Sequence, residues 1–168
     1  MRHNVLFQVM LKSISMGSLA VVFSIMPLRA NGADVTGHAQ VIDGDTIRID
    51  ATEIGLFGID APELKQTCKT HKGHVQLCGE LARQMLAEYV KGRKLTCEGR
   101  GADADGKMLA VCYVGLINMN EQMVADGWAL AIRPEGNEFI RAEKFAKARN
   151  EGMWRSEFIP PWEWRRLN

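Results

Sequence analysis

The chain has 168 residues, 46% of them hydrophobic and 24% charged, the composition of one folded domain with a single core. That excludes a disordered tail, a collagen-like fibre and a polytopic membrane protein. Formal net charge is +1, but residues 1–33 carry Arg2, Lys12 and Arg29 and no acid, leaving 18 basic against 20 acidic residues in the rest. Binding driven by the nucleic-acid backbone needs a positive excess, so any such chemistry has to come from a local site.

The N-terminal segment has a basic start and then an apolar stretch from Ile14 to Leu28. Small residues follow, offering cleavage after Ala30 or Ala33. This pattern is expected of a secretory signal peptide over residues 1–33. The apolar stretch is shorter than a comfortable membrane span of about 20 residues, which favours cleavage over anchoring. A mature domain over 34–160 is expected, with a Trp- and Arg-rich tail over 161–168. It should lie in the periplasm or be secreted, with no stable membrane span.

Short β-prone runs come first, at Gln40–Asp43, Thr46–Asp50 and Glu53–Ile59. Gly79–Val90 has Leu81, Met85, Leu86, Tyr89 and Val90 at helical spacing and ends at Gly92. Two further strands, 93–98 and 108–114, flank a stretch rich in turn formers, so a hairpin centred on Ala104-Asp105 is expected. Helices follow at Asn118–Ala125 and Asn137–Asn150, the latter with Phe139, Ala142, Phe145 and Ala146 on one face. The order βββ-α-ββ-α-α, five strands and three helices, fits an α+β fold built on a small OB-type barrel.

Four cysteines follow the leader, an even number that suggests two disulfides in an oxidising compartment. The hairpin register sets Cys97 opposite Cys112, which leaves Cys68 with Cys78 across a ten-residue excursion. His71 and His74 inside that excursion make zinc an alternative, although the spacing matches no common zinc motif.

Carboxylates concentrate between residues 41 and 63. Asp43 and Asp45 bracket Gly44 at a strand break, and Asp60 and Glu63 flank Ala61-Pro62 at the end of the third strand. Four acids at neighbouring strand ends repel one another, and a hard cation, Ca²⁺ or Mg²⁺, relieves this through oxygen ligands. On these residues alone, Asp43-Gly44-Asp45 also reads as a solvated turn.

The runs Val41-Ile42-Asp43-Gly44-Asp45-Thr46 and Gly58-Ile59-Asp60-Ala61-Pro62-Glu63 resemble those of the thermonuclease (staphylococcal nuclease) family. So does Leu109-Ala110 followed by Asn118 through Trp128, and the resemblance covers nearly all of residues 36–158. It implies an OB barrel that cleaves DNA and RNA with Ca²⁺. Asp45, Asp60 and the carbonyl of Ala61 would bind the ion, with Asp43 in its outer shell. Glu63 would position or deprotonate the attacking water.

The family's two phosphate-holding arginines are absent. Gly55 occupies one position and Lys107 the other, and Lys107 stands with Glu63 as a catalytic candidate. A guanidinium grips two phosphate oxygens in a planar fork, whereas lysine is a single mobile charge. Losing one such donor typically costs on the order of 10²–10³ in rate. Arg48 and Arg100 are the candidates for compensation, although a surface role is expected for each. A weakened Ca²⁺-dependent phosphodiesterase is therefore the leading expectation, acting on DNA or RNA as a monomer. The alternative, drawn from resemblance to thermonuclease-like proteins of bacterial exopolysaccharide (succinoglycan) biosynthesis, is a non-catalytic accessory role beside that machinery. The four tryptophans, Trp128, Trp154, Trp162 and Trp164, are expected to wrap the tail over the barrel.

Overall fold

The computed structural model describes residues 34–168; the expected leader and its cleavage site lie outside the described residues. Five strands close into a barrel: β1 (Val35–Val41), β2 (Thr46–Ile49), β3 (Thr52–Leu56), β7 (Lys94–Ala102) and β8 (Met108–Val114). They run in the order β3-β2-β1-β7-β8, antiparallel except where β3 meets β8 in parallel and shuts the cylinder, and the two-residue β9 (Ile117–Asn118) pairs with the end of β8. This is the expected OB-type α+β architecture, and closure removes the free sheet edges.

Alternation explains the barrel interior. In β2, Ile47 and Ile49 are fully buried, while Arg48 turns outward to pair with Glu53 at 3.1 Å. Ile54, Leu56, Leu95 and Ala110 complete the inner layer. The barrel is capped by α1 (Cys78–Val90), which buries Ala82, Leu86 and Val90, and by α2 (Met119–Ala125), which buries Met119, Met123 and Val124. Helix α3 (Ile140–Arg149) adds Ala142 and Ala146.

Several boundaries differ from the sequence reading. Strand β1 begins at Val35, five residues before Gln40, because Val35 to His38 pair with β7. Strand β7 continues through Gly99 with a bulge before Gly101, so the turn is confined to Asp103–Lys107. The expected run Glu53–Ile59 is two strands. Gly58, at φ +77°, breaks it, and β4 (Ile59–Asp60) pairs instead with β10 (Leu130–Ala131). Phe145 is not on the core face of α3 but is 55% exposed, with the Arg149 guanidinium 5.0 Å over its ring. The first turn of the expected helix at Asn137 is 3₁₀, and Phe139 in it is buried.

Two parts of the molecule have no counterpart in the sequence reading. A small sheet joins β5 (Thr67–Thr70), β6 (Val75–Leu77) and β11 (Ser156–Glu157), tying the cysteine excursion to the C-terminal segment. A fourth helix, α4 (Pro161–Leu167), occupies the expected tail, with proline at its first position. Disulfides join Cys68 to Cys78, Cα atoms 5.8 Å apart, and Cys97 to Cys112, directly opposed in the hairpin at 4.0 Å. With both thiols of the excursion bonded to each other, the zinc alternative lacks its sulfur ligands. Among the described residues no helix is long and apolar enough to cross a membrane.

Candidate active site

The turn between β1 and β2 is drawn tight by hydrogen bonds from the Ile42 and Asp43 N–H groups to the Thr46 carbonyl, at 2.9 and 3.3 Å. Asp43 Oδ1 accepts the N–H of Asp45 at 3.0 Å, closing an Asx turn. Gly44 lets this turn rest on the barrel, since a side chain there would meet the Cβ atoms of Ala61 and Ala82 at 2.6 and 2.8 Å. The close approach brings Asp45 Oδ2 within 2.6 Å of the Ala61 N–H.

The break at Gly58 and the pairing of β4 with β10 set the second half of the site. Asp60 is 4% exposed, opposite Leu130. After Pro62 the chain turns at Glu63, whose carbonyl accepts the N–H of Gln66 at 2.7 Å. The turn is pinned from outside by Gly79, where a Cβ would land on the carbonyl oxygen of Glu63.

A cleft of about 550 Å³ is lined by Asp43, Asp45, Asp60, Ala61 and Glu63 on one side and by Asp103, Asp105 and Lys107 of the hairpin turn on another. The structure thus brings Asp43, Asp45, Asp60, Ala61, Glu63 and Lys107 to one cavity. Gly55 lies on its floor beside Leu109, and the Lys107 side chain covers it, with Cε 3.6 Å from where a Cβ would sit. Lys107 Nζ stands 3.8 Å from Asp103. Arg48 and Arg100 do not line the cleft; they pair with Glu53 and Glu98 on the surface.

The principal group that sequence reasoning missed is Arg165. From α4 its guanidinium reaches into the cleft, placing Nη1 2.8 Å from both Asp60 Oδ1 and Glu63 Oε1, and Nη2 2.8 Å from Asp60 Oδ2. The fork grips Asp60 through two parallel bonds. These contacts, the hydrogen bond to Asp60 foremost, raise the Arg165 pKa further, so it is a permanent cation. Within the same crowd, loss of hydration and then the Asp43 charge push the Asp45 carboxyl well above the usual carboxylate range, opposed by the Ala61 N–H.

Among the described residues no three acidic, histidine or cysteine side chains stand grouped as a metal-binding set. Asp60 gives both oxygens to Arg165, and Asp45 faces the Ala61 N–H. The donor chemistry nevertheless fits a hard cation such as Ca²⁺, because all the candidates are oxygens and their mutual repulsion is only partly relieved. Arg165 is the cation already standing in that crowd.

Fold and site together define an OB-type barrel with an acidic cleft at its strand ends, bordered by cationic side chains. Residues 53–156 match the family described as staphylococcal nuclease homologue, and the chain belongs to that family. It is similar to the succinoglycan biosynthesis protein ExoI of Rhizobium meliloti, with 30% identity over 144 residues covering 82% of this chain and 75% of that protein. An uncharacterized endonuclease of Haemophilus influenzae is 25% identical over 163 residues, covering 92% of this chain and 86% of its own. The probable staphylococcal-like nuclease CAN3 of Oryza sativa is 32% identical over 116 residues, which span 67% of this chain and 28% of that longer protein.

Proposed function

We propose that this protein is an exported phosphodiesterase that hydrolyses DNA or RNA slowly, with a calcium ion held by Asp45, Asp60 and the Ala61 carbonyl. The observation that carries the reading is the convergence of Asp45, Asp60, Glu63 and Lys107 on one open cleft. Calcium bound there would supply charge neutralisation at the phosphate. Glu63 accepts the proton of the attacking water, whose oxygen bonds to phosphorus as the bond to the leaving ester oxygen breaks. That oxygen takes its proton from solvent in the open cleft. Asp43 orders the turn through its bond to the Asp45 N–H, and Lys107 offers one mobile charge to the phosphate. With glycine at position 55, one fixed phosphate donor is missing from the barrel wall, which keeps the rate low. Two disulfides support a periplasmic or extracellular setting.

The similarity to ExoI favours a second reading, a non-catalytic part in exopolysaccharide biosynthesis. A cleavage assay on single-stranded DNA and RNA separates the two, in millimolar calcium and in chelator, with Glu63→Gln as control. Cleavage that needs both calcium and Glu63 is expected. Its absence in the wild-type protein would leave the accessory role.

A further inference from the structure

We propose that Arg165 of the C-terminal helix is the phosphate-binding guanidinium of this cleft, moving from Asp60 onto a phosphate oxygen when a divalent cation takes over the Asp60 charge. The proposal rests on the phosphodiesterase reading and adds a residue to it from outside the barrel.

The geometry carries the argument. Arg165 touches both an expected cation ligand, Asp60, and the expected base, Glu63, through the same nitrogen, each at 2.8 Å. A phosphate that reacts with water held by Glu63 and with a cation held by Asp60 has to sit between those two carboxylates, which is where this guanidinium lies. Both Asp60 oxygens already accept from the fork, so a divalent ion drawing on the same lone pairs and the same negative charge competes with the guanidinium and loosens its hold on Asp60. Nη2 then has no carboxylate partner, while Nη1 keeps its contact with Glu63. A planar guanidinium with free N–H groups next to a bound cation is matched to phosphate oxygens.

The surroundings point the same way. The Arg165 side chain is 47% exposed, so it can turn without unpacking the core. It also borders an adjoining cavity of about 380 Å³ shared with Trp162 of the same helix, itself 47% exposed. An exposed indole beside a guanidinium is the surface on which single-stranded nucleic acids stack. Position 55 needs no arginine if the charge arrives from α4, and the Lys107 side chain already fills the space over Gly55.

The test measures binding rather than turnover. A fluorescein-labelled, phosphorothioate-linked oligothymidylate of eight nucleotides is titrated with the full chain, followed by anisotropy, with and without calcium. Four proteins are compared: wild type, Arg165→Met, Arg165→Lys and Arg166→Met. Arg166 is on the same helix and, among the described residues, pairs with Glu163 alone, so it controls for charge and helix content. In calcium, Arg165→Met should weaken binding about tenfold or more, as expected for a lost charged hydrogen-bond donor. Arg165→Lys should fall between, and Arg166→Met should stay within about twofold. Without calcium the gap between Arg165→Met and wild type should shrink, because Asp60 holds the arginine there.

Equal oligonucleotide affinity for Arg165→Met and Arg166→Met in calcium would overturn the proposal, as would tighter binding by Arg165→Met, the behaviour of a plug. Thermal melts establish that each variant is folded, and Arg165→Lys carries the comparison if Arg165→Met is not. Wild-type binding without cleavage would sink the phosphodiesterase reading alone. Cleavage with no loss on Arg165→Met would sink this proposal alone.

Discussion

The side-chain amide of Gln66 donates to the Ile159 carbonyl at 2.8 Å, across 93 residues of chain. Its oxygen accepts the N–H of Glu63 at 3.2 Å, and the whole residue is buried. One side chain therefore clamps both the turn that presents Glu63 and the segment leading to α4.

Gln66→Leu keeps the volume and removes both bonds, leaving the part-buried Glu63 N–H and Ile159 carbonyl without this partner. A loss of about 2–3 kcal/mol is expected in urea unfolding. Ordering of α4 should suffer as well, read as faster amide exchange over residues 163–167. Unchanged exchange there would show that the tail is held by other contacts alone.

Asn120 has a comparable position inside the barrel. Its Oδ1 accepts the Cys112 N–H at 3.0 Å, and its Nδ2 donates to Phe57 O at 2.9 Å and Ala110 O at 3.1 Å. It thereby secures the strand break that turns Asp60 into the cleft. Asn120→Leu should cost about 3 kcal/mol, since the Cys112 N–H and the Phe57 carbonyl lose this partner together, while Ala110 O keeps the Phe57 N–H at 2.8 Å. A change under ~1 kcal/mol in the urea midpoint analysis would contradict this account.

Calcium binding is expected to be weak and to depend on the acids unequally. Asp45→Ala or Asp60→Ala should abolish the calorimetric signal at millimolar calcium, and Glu63→Gln should reduce it less. Binding that survives Asp60→Ala would place the ion elsewhere.

The hairpin disulfide closes a sequence separation of 15 residues. Replacing Cys97 and Cys112 together by alanine should lower stability by about 3 kcal/mol, a figure the chain-entropy account gives for a loop of this length. Non-reducing peptide mapping that joined Cys68 to Cys97 would refute the register itself.

Gly55→Arg with Lys107→Arg restores two guanidinium groups to the barrel wall. The new Cβ at 55 would lie 2.9 Å from the end of Leu109, a flexible atom that can yield. Cleavage in calcium should rise by about tenfold or more if phosphate grip limits the rate. If a cleaving wild type gains nothing, α4 already supplies that grip or another step is limiting.

Much of this arrangement is legible in the chain itself. Ile47 and Ile49 alternate around Arg48, and Leu86 keeps helical spacing, so the barrel strands and α1 are visible as periods and the order of elements points to the barrel. The break at Gly58 is hidden because apolar residues continue across it, and only pairing with β10 reveals that Ile59 changes partners. Phe145 lies at the edge of its helical stripe, beside the buried positions Ala142 and Ala146, where a small rotation of the helix decides between core and solvent. Arg165 was not legible at all, because 105 residues separate it from Asp60 and no periodicity relates a tail to a distant cleft. The available hint was Pro160-Pro161, a stiff pair that aims the chain before a short helix.

A helix of seven residues is too short to persist alone in water, and in α4 only Pro161 is buried. Beyond the Gln66 clamp, its order is borrowed from the acids of the cleft, through a cation that reaches them from the exposed side. Ionic strength therefore acts on two distant features together: as mobile ions screen that attraction, the end of the chain frays while the barrel, held by apolar packing, keeps its shape.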